Sequence, residues 1–101
     1  MHKFSDFAIE EMPRKTMDGD HIKVDRILNR EIVVHFFDIR ISKYPEKGNG
    51  MCLYIQIELD GIKRVVWTGS VFLQYYIQKV QPSQFPFTAK IVKDNDSYKF
   101  A

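Results

Sequence analysis

At 101 residues, with 45% hydrophobic and 28% charged side chains, the chain has the make-up of one ordinary globular domain, long enough to close a core without covalent staples. A single cysteine, Cys52, excludes an internal disulfide, and no apolar run has the length of a signal or membrane segment, so a soluble cytoplasmic protein is expected. The formal charge of +2 does not by itself advertise a polyanionic partner, but it is unevenly spread: of 15 basic and 13 acidic side chains, three and five fall in residues 1–20, leaving twelve against eight in the body.

Residues 1–20 read as an N-terminal arm, with a short amphipathic helix over Phe4 to Met12 and a breaker-rich piece from Pro13 to Gly19. Residues 21–101 form the domain. Its first piece, His21 to Asn29, carries two patterns: Ile22 and Val24 alternate as in a strand, whereas Val24, Ile27 and Leu28 have helical spacing. A single turn before the first long strand is expected there. That strand, Glu31 to Ser42, has Ile32, Val34 and Phe36 on even positions but Phe37, Ile39 and Ile41 on odd ones. One slip in a period of two is what a β-bulge at Phe36-Phe37 produces when a long strand bends to serve two halves of a sheet.

Lys43 to Gly50 is a loop by composition. Met51 to Ser70 is then the hairpin around which the rest is organised. Asp60-Gly61 sits between two runs of β-branched and aromatic residues, and both central residues of a type I′ turn need φ > 0. A two-residue loop pairs Leu59 with Ile62, Glu58 with Lys63, Ile57 with Arg64, Gln56 with Val65, Ile55 with Val66, Tyr54 with Trp67 and Leu53 with Thr68. Leu53, Ile55, Ile57, Leu59, Ile62 and Val66 therefore face the core, and Arg64 falls on their side near the sheet end. The other face carries Cys52, Tyr54, Gln56, Glu58, Lys63, Val65 and Trp67, and an ion pair is expected between Glu58 and Lys63.

Ser70 caps a helix whose apolar stripe is Leu73, Tyr76, Ile77 and Val80, and Pro82 ends it. Phe87, Ala89 and Ile91 alternate inward in the next strand, to Val92. Lys93 to Asp96 is a polar turn, and Ser97 to Ala101 closes the chain with Tyr98 and Phe100 facing the core.

Three strands in a meander, a helix, then a terminal hairpin describe a mainly β fold, the five-stranded OB-fold Greek-key barrel with its helix between strands three and four. The stretches Ser42-Lys43-Tyr44, Cys52-Leu53-Tyr54-Ile55-Gln56, Trp67-Thr68-Gly69-Ser70 and Phe85-Pro86-Phe87-Thr88-Ala89-Lys90-Ile91 resemble small OB-fold single-stranded-DNA-binding proteins of bacteriophages and integrated elements in Gram-positive bacteria. The resemblance covers roughly residues 20 to 101. Thr68-Gly69-Ser70 would serve the strand-to-helix turn, and Phe85-Pro86-Phe87 would plug the barrel bottom. It implies a coat for single strands in replication or recombination. The chain as given stops at Phe100-Ala101, so recruitment of partners through an acidic C-terminal tail is not expected.

Barrels of this kind stack bases on aromatic side chains while a basic groove follows the backbone. Tyr54 and Trp67 supply the stacking face, Gln56 a hydrogen bond to a base edge or sugar, and Lys63 a charge on the same face. The loop after the first strand adds Lys43, Tyr44 and Lys47, and the last hairpin adds Lys90, Lys93 and Lys99. The expected partner is single-stranded DNA, with RNA left open; no membrane partner, metal or cofactor is expected, and a homo-oligomer is allowed. His2, His21 and His35 show no metal-ligand spacing and no phosphate-cradling glycine motif occurs, so an enzyme is not expected. The rival reading is an interaction or oligomerisation module that uses the same Tyr54/Trp67 face.

Overall fold

The computed structural model describes residues 17–43, 46 and 49–101. The expected arm helix, Phe4 to Met12, lies outside the described residues. Six strands and one α-helix make the fold: β1 (Asp20–Lys23), β2 (Glu31–Ile41), β3 (Met51–Leu59), β4 (Ile62–Thr68), α1 (Val71–Ile77), β5 (Phe87–Asp94) and β6 (Ser97–Phe100). They form a single mixed sheet in the order β1-β4-β3-β2-β5-β6. The fold is mainly β, as the alternating patterns require.

The β3–β4 hairpin has the register that the Asp-Gly turn dictates, from Leu59 opposite Ile62 out to Leu53 opposite Thr68. Asp60 and Gly61 both have positive φ, 53° and 79°. Leu53, Ile55, Ile57, Leu59 and Val66 are buried in the core with Ile32, Val34, Leu73, Ile77 and Ile91. Ile62, expected inside, is exposed, because it flanks the turn where the sheet has run out of cover. Arg64 does stand on the core side at the sheet end, where it turns outward to Asp20, Nη1 to Oδ2 2.9 Å.

The phase slip in β2 is real and lies one residue earlier than the pattern suggests. Against β3 the register runs Val34 opposite Ile57 and then Phe36 opposite Gln56, so His35 is the extra residue. Before it Ile32 and Val34 are buried; after it Phe37 and Ile39 pack against the same core. Glu31–Val34 pairs with β5 and the longer remainder pairs with β3, which is how one strand serves both halves. Ile41, at the end of the strand, is exposed.

The sequence pattern predicts five strands; there are six. The ambiguous piece splits into both of its readings, β1 and then a 3-10 turn over Val24–Ile27. β1 lies parallel to β4, Asp20 opposite Arg64 and Lys23 opposite Trp67. Gly19, at φ 102°, lets the chain enter beside β4: a Cβ there would stand 2.0 Å from the Lys63 carbonyl oxygen. The sheet's two end strands, β1 and β6, are not paired with each other, so it does not close into a barrel by strand pairing. A side-chain bridge spans that side instead: the Tyr98 hydroxyl on β6 donates to Asp25 Oδ1 in the 3-10 turn, 2.5 Å.

Helix α1 starts where expected, with Ser70 Oγ accepting from the Leu73 amide. It is shorter than the pattern implies and ends at Ile77. Leu73 and Ile77 are buried, but Tyr76 is exposed, and Gln74 takes the third buried position. Gln74 Nε2 donates to the Met51 carbonyl and its Oε1 accepts from Asn49 Nδ2, which fastens the loop before β3 to the helix. Phe85, Phe87, Phe37 and Phe100 stack in a chain at one end of the core, with Phe85 and Phe87 centroids 5.1 Å apart. Among the described residues no helix is long and apolar enough to cross a membrane.

Candidate functional site

The site grows out of strand register. Lys23, Trp67, Tyr54 and Asp38 are successive register partners across β1, β4, β3 and β2, and so form one row on the face away from the core. At about 4.8 Å per strand the row is about 14 Å long. Its middle is aromatic and its ends are charged. Beside it lies a cleft of about 380 Å³ lined by His21, Ser42, Lys43, Cys52, Tyr54 and Trp67.

Within the cleft Trp67 is 38% exposed, and Tyr54 is half-buried. The His21 ring meets Tyr54 edge-on at 6.2 Å between centroids. Arg40 Cζ lies 5.0 Å from the Tyr54 ring centroid, and Arg40 Nε donates to Asp38 Oδ2 at 2.7 Å. Burial, reinforced by the Cys52 thiol and opposed by the Arg40 guanidinium, holds the Tyr54 hydroxyl above its ordinary pKa, so it is a neutral donor throughout the physiological range. The Cys52 thiol is buried in the cleft wall. Chemically this is a shallow aromatic slot with cationic groups on its rim, suited to a flat ring carrying negative charge.

The remaining residues singled out by sequence fall in several places. Lys43 is exposed at the cleft rim. Tyr44 and Lys47 lie outside the described residues. Gln56 is not presented at the surface: it is 4% exposed. Its Oε1 accepts from the Asp18 amide at 2.6 Å, while its Nε2 donates to the carbonyls of Asp18 at 2.8 Å and Arg64 at 3.1 Å. The side-chain amide thus works as a detached peptide unit that ties the approach to β1 onto the sheet. Val65, its partner across the hairpin, is likewise buried, so the middle of this face is covered and the aromatic row is the accessible part.

Lys63 is Glu58's register partner, yet Lys63 Nζ turns to Asp18, 3.8 Å, and Glu58 to His35 Nε2, 3.2 Å. The bulge explains the exchange, since it sets His35 within reach of Glu58. Lys90, Lys93 and Lys99 lie on β5 and β6, on the far side of β2 from the hairpin, and none of them lines the cleft. Lys93 Nζ sits 5.6 Å from the Tyr98 ring, and Lys99 Nζ is 3.6 Å from Asp94. The structure therefore gathers Tyr54, Trp67 and Lys43 and leaves the terminal-hairpin lysines elsewhere. Sequence reasoning passed over His21 and Arg40. For Arg40 the signal was available, because an Asp-x-Arg pair on one strand face next to an aromatic strand is visible once the register is drawn; for His21 none was, because it arrives through a parallel pairing with no turn to announce it.

No curated protein and no solved structure matches the chain. A family model does match, over residues 18–101, which takes in all six strands, the helix and every residue of the cleft, and the chain therefore belongs to the family described as Domain of unknown function (DUF8468).

Proposed function

We propose that this protein binds single-stranded nucleic acid, DNA in the first instance, with little sequence preference, and that it serves replication or recombination of a phage or mobile element. The observation that carries the reading is the Trp67–Tyr54 cleft. Two aromatic side chains from adjacent strands stand side by side at the surface with Lys43 on the rim, and a stacked base contributes on the order of 1 to 3 kcal/mol per aromatic side chain whatever the base. Strands β2 to β6 would be the five strands of an OB unit with β1 added. In support, β2 pairs antiparallel with both β3 and β5, and α1 follows the third strand of that set.

The test is a titration with fluorescent oligo-dT of about 30 nucleotides, long enough for one or more sites of this type, at low and moderate salt with Trp67 emission followed in parallel. The expected result is tryptophan quenching with an affinity that weakens as salt rises. Absence of binding at low salt would refute the reading and turn attention to the same face as a protein-docking surface.

A further inference from the structure

One face of the Tyr54 ring is already in use. Arg40 is held there from two sides, by the ring at 5.0 Å and by the charge-assisted hydrogen bond from Nε to Asp38. Asp38 is the register partner of Tyr54, and Arg40 that of Cys52, so Arg40 stands on the cleft's face and not on the core side. Its side chain is 36% accessible. Asp38 takes the guanidinium through Nε alone, which leaves the opposite Nη1–Nη2 edge as a two-donor fork. That fork matches two oxygens of a phosphodiester, and an anion meeting it approaches the edge away from the Asp38 carboxylate. A lysine would bring the charge but not this geometry.

Trp67 stands differently, more exposed than Tyr54 at the next position of the row. We infer that Arg40 is the phosphate-binding residue of the proposed single-strand site, that Tyr54 is the shelf on which its guanidinium lies, and that Trp67 carries the stacked base. The inference rests on the single-strand reading and divides its labour: one aromatic positions a cation and the other receives a ring. A nucleotide with its base on Trp67 and its phosphate toward β2 spans the two neighbouring positions of the row, about 5 to 10 Å.

The experiment compares the wild-type protein, Arg40→Gln, Tyr54→Leu and the double variant, each binding oligo-dT across about 50 to 200 mM salt. For Arg40→Gln the slope of log K against log salt should fall by about 0.7, the single-strand value for one phosphate contact, which is about fivefold in affinity at 0.1 M salt. The quench of Trp67 at saturation should be retained. Tyr54→Leu should weaken binding through the same contact, so the double variant should be scarcely weaker than either single one. An unchanged slope in a folded Arg40→Gln protein that still binds would overturn the inference and leave the single-strand reading standing; full additivity of the two changes would do the same by making Tyr54 an independent platform. A wild-type protein that does not bind would remove the single-strand reading itself, and this inference with it. Arg40 is partly exposed, so its variant decides the matter even where Tyr54→Leu fails to fold.

Discussion

Replacing Gln56 by leucine should cost the protein about 2 to 3 kcal/mol, although the residue sits on a strand face that alternation alone would assign to solvent. The side chain makes three hydrogen bonds of 3.1 Å or less, one received from the Asp18 amide and two given to the Asp18 and Arg64 carbonyls. A hydrogen bond of this kind contributes about 0.5 to 1.5 kcal/mol net, and a buried partner left unpaired costs about 1 to 3 kcal/mol. Asp18 is exposed and regains water once released, which keeps the total near the sum of three ordinary bonds and not higher. In a domain of this size that is a fall in melting temperature of about 10 to 20 °C. Urea unfolding followed by far-UV circular dichroism and by Trp67 emission measures it. Gln56→Glu sharpens the test: a carboxylate still accepts from the Asp18 amide but turns its second oxygen on two carbonyls, so it should be worse than leucine near neutral pH and partly rescued in acid, where protonation restores a donor. A Gln56→Leu protein within about 0.5 kcal/mol of wild type would mean that the amide does not tie β1 to the sheet, and the account of how the row acquires its fourth strand would fail.

Further outcomes follow from other residues. The Tyr98 hydroxyl holds the Asp25 carboxyl below its ordinary value of 3.8, and Asp25 in turn pushes Tyr98 up to about 12. The depressed Asp25 contributes stability that is present above pH 3.8 and lost as pH falls through the folded value; the raised Tyr98 contributes stability present below pH 10 and lost as pH climbs toward 12. Tyr98→Phe should therefore lower stability by about 1 kcal/mol between those limits and flatten the profile at both ends; an unchanged profile in thermal melts from pH 3 to 11 would contradict it. Gly19→Ala combines a positive φ with a Cβ driven onto the Lys63 carbonyl, so hydrogen exchange at the Asp20–Lys23 amides should accelerate selectively, and retained protection there would disprove the close approach. Trp67→Ala together with Tyr54→Ala should leave a folded protein that binds oligo-dT more than about 30-fold less tightly, two lost aromatic contributions of at least about 1 kcal/mol each. Unimpaired binding by that folded variant would rule out the aromatic row.

What the sequence makes legible is what short-range chemistry specifies. Asp60-Gly61 sets a turn, the turn sets a register, and the register puts Tyr54 beside Trp67 without reference to the rest of the chain. Ser70 and the last hairpin are readable for the same reason, and Asn95-Asp96, both at positive φ, close that hairpin much as Asp60-Gly61 closes the first. The long-range pairings are different. Nothing near residues 20–23 says that they run parallel to residues 64–67, so the sixth strand, the burial of Gln56 and the arrival of His21 in the cleft are all invisible to local pattern. A glutamine on the outer face of a strand looks solvated until a second backbone is laid over it. The lysines of β5 and β6 miscarry for a related reason: charge and exposure are legible, but which end of a curved sheet carries them depends on how far β2 bends at His35.

The same separation sets a temporal order. Asp20 and Arg64 are 44 positions apart in the chain, whereas the β3–β4 hairpin closes across two residues. A hairpin of that kind forms in about 1 to 10 μs, long before so large a loop is closed. β1 then has no template until β4 exists, and it is the last strand to join and the first to peel away. A single strand approaching the row would meet it complete on one flank, β4, β3 and β2, and provisional on the other, where Lys23 and His21 come and go with β1.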